Sequence, residues 1–111
     1  MERTELIMPA VALRGMTILP EMITHFDVSR SKSVKAVEKA LTQEQRLFIV
    51  AQRDPETENP GQDDLFQMGT VVEIKQIVKM PHNILRVLVE GTFRAKLLRL
   101  EGEEYLEAVI E

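Results

Sequence analysis

Cysteine is absent from the chain, and so is tryptophan. The first absence excludes disulfides, thiolate chemistry and cysteine-based zinc sites. It fits a reducing cytosol, so a cytoplasmic location is expected. Aromatic residues are scarce, four Phe and one Tyr; the core must come from Val, Ile, Leu and Met. No apolar run approaches the roughly 20 residues that cross a bilayer, and no membrane partner is expected. The N-terminus carries Glu2, Arg3 and Glu5 in place of a basic region and a long apolar one, which argues against a signal peptide. A concentrated basic footprint is also missing, and the formal net charge is −4. That balance argues against nucleic acid as a partner.

What remains is a globular composition: 111 residues, 44% hydrophobic and 29% charged. One domain over 1–111 is expected, with a single unstapled core. The acids are clustered. Asp54, Glu56, Glu58, Asp63 and Asp64 share one stretch, and Glu101, Glu103, Glu104, Glu107 and Glu111 another.

Residues 5–13 read as a strand with Leu6, Met8, Ala10 and Ala12 on one face. Pro9 cannot donate to a ladder, so it predicts an edge position or a break. A non-periodic connection follows from Arg14 and Gly15 to Pro20. Its apolar residues Met16, Ile18 and Leu19, with Met22 beyond, require that it pack down on something. Residues 22–28 form a second strand anchored by Phe26 and Val28. Residues 31–41 are the helix candidate, with Val34, Val37 and Leu41 at i, i+3 and i+7 and Ala40 beside them. Ser29, Ser31 or Ser33 is the expected N-cap, and Thr42 the stop. Arg46 to Gln52 holds five consecutive apolar residues and reads as a central strand covered on both faces.

Residues 54–64 form an acidic loop, with Asn59-Pro60-Gly61 as its turn. It lacks the order of a calcium-binding loop. Val71 to Lys79 is β-rich, with mixed alternation that predicts a bulge near Gln76. Pro81-His82-Asn83 is a turn. Ile84 to Glu90 then places Leu85, Val87 and Val89 inward. After Gly91, Phe93, Ala95 and Leu97 alternate, and the pattern slips at Leu98 and Leu100 as a bulge would make it. Glu101 to Glu104 is a turn. Tyr105 to Glu111 begins a last strand with Leu106, Ala108 and Ile110 on one face. It ends on an apolar-periodic run, so residue 111 is expected to be a cut point in a longer chain. An edge left unpaired there is expected to promote a dimer.

The fold class is therefore mainly β (α+β): a curled antiparallel sheet or small pseudo-barrel of six or seven strands with one packed helix. Chemistry-bearing motifs are missing. Ser29, Ser31 and Ser33 lack a G-x-S-x-G elbow, and Lys32 and Lys35 lie on the same exposed helical end. His25 and His82 lack metal-ligand spacing. Gly15, Gly61, Gly69, Gly91 and Gly102 fall at predicted element ends and spell no phosphate loop. No catalytic, cofactor or metal residue is assigned. The functional candidate is a surface: Leu13, Met16, Ile18, Leu19 and Met22, with Met68 nearby. Methionine adapts to varied partners because it is flexible and polarisable.

The run Met8 to Pro20, Met-Pro-Ala-Val-Ala-Leu-Arg-Gly-Met-Thr-Ile-Leu-Pro, resembles the opening of the N-terminal domain of Lon-type ATP-dependent proteases. Ser31 to Val37, Val50 to Asp54 with Asp64-Leu65-Phe66 and Gly69-Thr70-Val71, and Arg86 to Gly91 with Arg94 continue the resemblance in register. It implies a PUA-like, β-rich subdomain that recognises unfolded or damaged polypeptides. It implies self-association with other Lon subunits, as a hexamer. ATP with magnesium and a Ser-Lys protease dyad would belong to AAA+ and protease domains outside the matched part. The alternatives are a purely structural or assembly domain, and a nucleic-acid-binding PUA-like module. Two positions depart from the family's habit. Glu21 follows Pro20 where Gly is frequent, and His82-Asn83 replaces the usual Asp/Asn-Gly.

Overall fold

The computed structural model describes residues 5–14, 16–57, 60–102 and 104–111. Gly15, Asn59 and Glu103, which the sequence puts in turns, lie outside them, as do Glu2, Arg3 and Glu58. In chain order the elements are β1 (Leu6–Leu13), β2 (Ile23–Val28), α1 (Ser31–Leu41), β3 (Arg46–Ala51), a 3-10 turn (Gln62–Asp64), β4 (Met68–Met80), β5 (Ile84–Glu101) and β6 (Glu107–Ile110). The sheet order is β2-β5-β4-β3-β1-β6, and β6 also pairs with β5. Five strands therefore close on themselves, and β2 lies against one end of β5.

The sheet is mixed, not purely antiparallel, because β1 and β3 run parallel. A parallel pair needs a crossover, and β2 with α1 supplies it. Pro9 is not a break, but it does stand at a local edge: it pairs with Glu107 of β6, and the pairing with β3 begins only at Ala10. Leu6–Pro9 of β1 pairs with β6, and Ala10–Leu13 pairs with β3. The residue without an N–H thus stands where the strand changes partner, and the Ala10 N–H reaches the Leu106 carbonyl at 2.9 Å.

Two apolar cores lie on opposite sides of the central strands. Phe48 and Val50 face the barrel interior with Met8, Ala10, Val71 and Ile110. Leu47 and Ile49 face the helix side with Val11, Val37 and Val89. Strand periodicity sorts neighbours into different cores, which explains why β3 is apolar at every interior position. On α1 the buried face is Ser33, Ala36, Val37 and Ala40. Val34 is partly buried, but Leu41 is 42% exposed. It is the last residue of α1, next to the fully buried Ala40. The N-cap position is Arg30, and no side chain caps it. The three serines do not cap the helix.

The two short strands expected on either side of Gly91 are one 18-residue strand, β5. Its first part pairs with β2 and its end with β6. Register shifts lie between Ile74 and Gln76 and between Leu97 and Arg99. These bulges bend the long hairpin so that β6 can close the barrel. Phe93 does not enter the core as its alternation suggested; it is 42% exposed, beside the further register shift at Val71/Val72. Gly69 and Gly91 lie inside strands. A Cβ on Gly91 would overlap the Leu19 carbonyl oxygen, so only glycine permits this approach. There the Glu21 N–H donates to the Gly91 carbonyl and the Gly91 N–H to the Met22 carbonyl.

β6 has neighbours on both sides, β1 and β5. The unpaired edge expected at the last strand, and the dimer built on it, lose their premise.

Candidate functional site

The connection from Leu13 to Ile23 is held down at two points. The Thr70 hydroxyl donates to the Ile18 carbonyl at 2.6 Å, and the turn at Glu21 is clamped on Gly91. Between the first of these points and the entry to β4, an open groove of about 450 Å³ forms. Met16, Ile18, Phe66 and Met68 supply its apolar lining, with Arg53 and Arg94 beside them. Phe66 to Thr70 run along the groove, and the bend at Gln67 between the Leu65 bridge and β4 brings Phe66 and Met68 to it together.

A bridge between Gln52 and Leu65 continues β3 for one residue. The Phe66 N–H donates to the Ala51 carbonyl and the Arg53 N–H to the Asp64 carbonyl. This antiparallel pairing sets the Arg53 guanidinium over the Phe66 ring, 5.1 Å from its centroid, within cation–π range. Arg53 Nε also donates to the Leu65 carbonyl at 3.0 Å, and Arg94 Nε to the Gly69 carbonyl at 3.2 Å.

The six candidate surface residues separate. Met16, Ile18 and Met68 meet in the groove. Ile18 is only 2% exposed and forms its floor, whereas Met68 is 45% exposed. Leu13 is buried in the helix-side core and offers no surface. Leu19 and Met22 are exposed, but on the turn clamped to Gly91 and outside the groove lining. Sequence reasoning missed Arg53, Phe66 and Arg94. A signal existed for Phe66, which stands two residues before Met68 just past the acidic loop.

The groove's lining is apolar and cationic, and among the described residues it contains no Ser, His, Lys, Asp or Glu. Among the described residues no group of three His, Cys, Asp or Glu is placed to hold a metal ion. Among the same residues no helix is long and apolar enough to cross a membrane.

Residues 7–111 match the family described as the ATP-dependent protease La (LON) substrate-binding domain. The chain belongs to this Lon family. It is 50% identical over 102 residues to a Lon protease of Lachnoclostridium phytofermentans, covering 91% of this chain and 13% of that protein. It is 41% identical over 111 residues to a Lon protease of Clostridium acetobutylicum, covering 99% of this chain and 14% of that protein. The chain thus spans a small part of these relatives, and that part is the Lon substrate-binding domain rather than the protease catalytic domain. Its fold is shared with the N-terminal domain of a Mycobacterium avium complex Lon protease, at a TM-score of 0.75 and 16% identity, over 96% of this chain and 54% of that one. A Lon N-terminal domain protein from Xanthomonas campestris superposes at a TM-score of 0.69, over 96% of this chain and 57% of that one. At such identities the likeness concerns the fold.

Proposed function

We propose that this domain captures unfolded or damaged polypeptides for a cytoplasmic ATP-dependent Lon protease and supports assembly of its subunits. The domain itself is non-catalytic. ATP, magnesium and peptide-bond cleavage belong to other domains of the parent protein. The observation that carries the reading is the open groove in which Met16, Phe66 and Met68 come together above Ile18. Phe66 and Met68 are each almost half exposed, and a shallow apolar surface with polar groups at its border suits extended chains of varied sequence.

The test is an amide NMR titration of the chain with a reduced, alkylated globular protein as the unfolded ligand. Shifts are expected at 16–18 and 66–70 and at the Arg94 side chain. Silence at these positions with millimolar unfolded segments would remove the groove as the capture surface. If removal of the domain from the parent abolished the oligomer while its cleavage of short peptides survived, the purely structural reading would take its place.

A further inference from the structure

Arg53 and Arg94 differ from most other described arginines in what holds them. Arg86 is bound to Asp27, Arg46 to Glu44 and Arg99 to Glu101. Neither Arg53 nor Arg94 forms an ion pair among the described residues. Each is instead fastened through Nε to a backbone carbonyl at the groove, Leu65 for Arg53 and Gly69 for Arg94. Arg53 is further set by the Phe66 ring. No Asp or Glu lines the groove, although the chain as a whole carries a formal charge of −4. The groove is thus a locally positive, apolar site on an acidic protein.

We infer that the groove selects extended segments in which an acidic side chain stands beside an apolar one. The inference rests on the capture reading above and names its substrate class. The apolar side chain lies on Met16, Phe66 and Met68. The carboxylate meets the terminal nitrogens of Arg53 or Arg94. Tethering Nε to a carbonyl orients the guanidinium in advance, so less rotamer freedom is lost when a carboxylate binds. The planar fork then offers two parallel N–H donors to the two carboxylate oxygens. A segment with lysines in place of acids would bring like charge to two guanidinium groups, which works against binding.

Two acetylated and amidated peptides test this, identical in an apolar Leu-Phe-Leu centre and differing only in flanking Glu or Gln. Fluorescence anisotropy with the intact chain measures both affinities at low salt. The Glu peptide is expected to bind about three- to tenfold more tightly. That ratio is expected to shrink as salt is raised and to fall toward one when Arg53→Gln and Arg94→Gln are combined. Equal affinity of the two peptides for the unmodified chain overturns the inference and leaves the capture reading standing. If neither peptide perturbs the groove resonances, the capture reading fails as well. The comparison between peptides changes nothing in the protein, so its result does not depend on a variant that folds.

Discussion

Gln52 is 3% exposed and its side chain meets three partners at once. Its Nε2 donates to the carbonyls of Asp54 at 3.1 Å and Thr57 at 2.9 Å. Its Oε1 accepts from Arg30 at 3.1 Å, and the same guanidinium donates to the Ala12 carbonyl at 2.8 Å. Burial, and then the nearness of Arg14, lowers the pKa of Arg30 from its ordinary value. An arginine stays protonated at neutral pH regardless, so this charge depends on acceptors such as Gln52. Gln52→Met keeps the volume and removes the amide, stripping hydrogen-bond partners from Asp54, Thr57 and Arg30. A loss of about 1–3 kcal/mol in urea unfolding is expected; an unchanged midpoint would show that the amide is dispensable. The backbone at Glu21 and at His82-Asn83 is also a matter of this scale. Glu21 has φ 68°, and His82 and Asn83 have φ 64° and 60°. All three occupy the left-handed region, where glycine is unstrained and a β-carbon costs about 1–2 kcal/mol. These turns thus hold a conformation that glycine adopts without strain and that Asn tolerates better than Glu or His.

At the scale of elements, β2 is the strand with a single neighbour in the sheet order, and a charged clip helps to hold it. Asp27 and Arg86 stand opposite each other in the β2–β5 register, with hydrogen bonds of 2.9 and 3.1 Å. Those bonds, against some desolvation, hold the Asp27 carboxyl below its ordinary value, with further help from His25. A depressed carboxylate pKa stabilises the fold above the unfolded value of about 3.9 and ceases to as pH falls through the folded value. The pair is about two-fifths exposed, so solvent screens it and the effect is small. Between about pH 5 and 3 the thermal midpoint of the parent is expected to fall more than that of Asp27→Asn, the gap closing below the folded pKa. Parallel curves across that range would show that the clip adds nothing to the fold. Element types were readable from periodicity, because β3, β4 and the start of β5 alternate or run apolar against fixed cores. Leu41 and Phe93 misled for different reasons: Leu41 lies in the last turn of α1 and stays 42% exposed despite its spacing, whereas Phe93 stands at the Val71/Val72 register shift, where simple alternation no longer holds. The groove was half readable. Met16, Ile18 and Met68 stood out by composition, whereas Arg53 and Arg94 gained their place only through a long-range bridge and a bulged register.

Across the whole molecule the decisive feature is closure, and no local pattern announces it. β1 divides its length between β6 and β3, and β5 divides its length between β2 and β6. One sheet therefore walls two cores, and its side chains alternate between them. Leu47 enters the helix-side core and Ile110 the barrel interior, both fully buried. If the cores were independent, a cavity in one would leave the other's transition in place. The shared strands predict the opposite, since β3 contributes Leu47 to one core and Phe48 to the other, and neither core survives without that strand. Leu47→Ala and Ile110→Ala are each expected to cost about 2–5 kcal/mol. Each should shift one common transition, whether it is followed by far-UV circular dichroism or by the fluorescence of Tyr105. That residue is the only tyrosine and packs against the helix-side core. Coincident curves for Ile110→Ala are the telling result, because the tyrosine then reports a cavity in the core it does not touch. A Tyr105 transition that stays at the parent midpoint while the dichroism of Ile110→Ala moves to lower urea would separate the two cores.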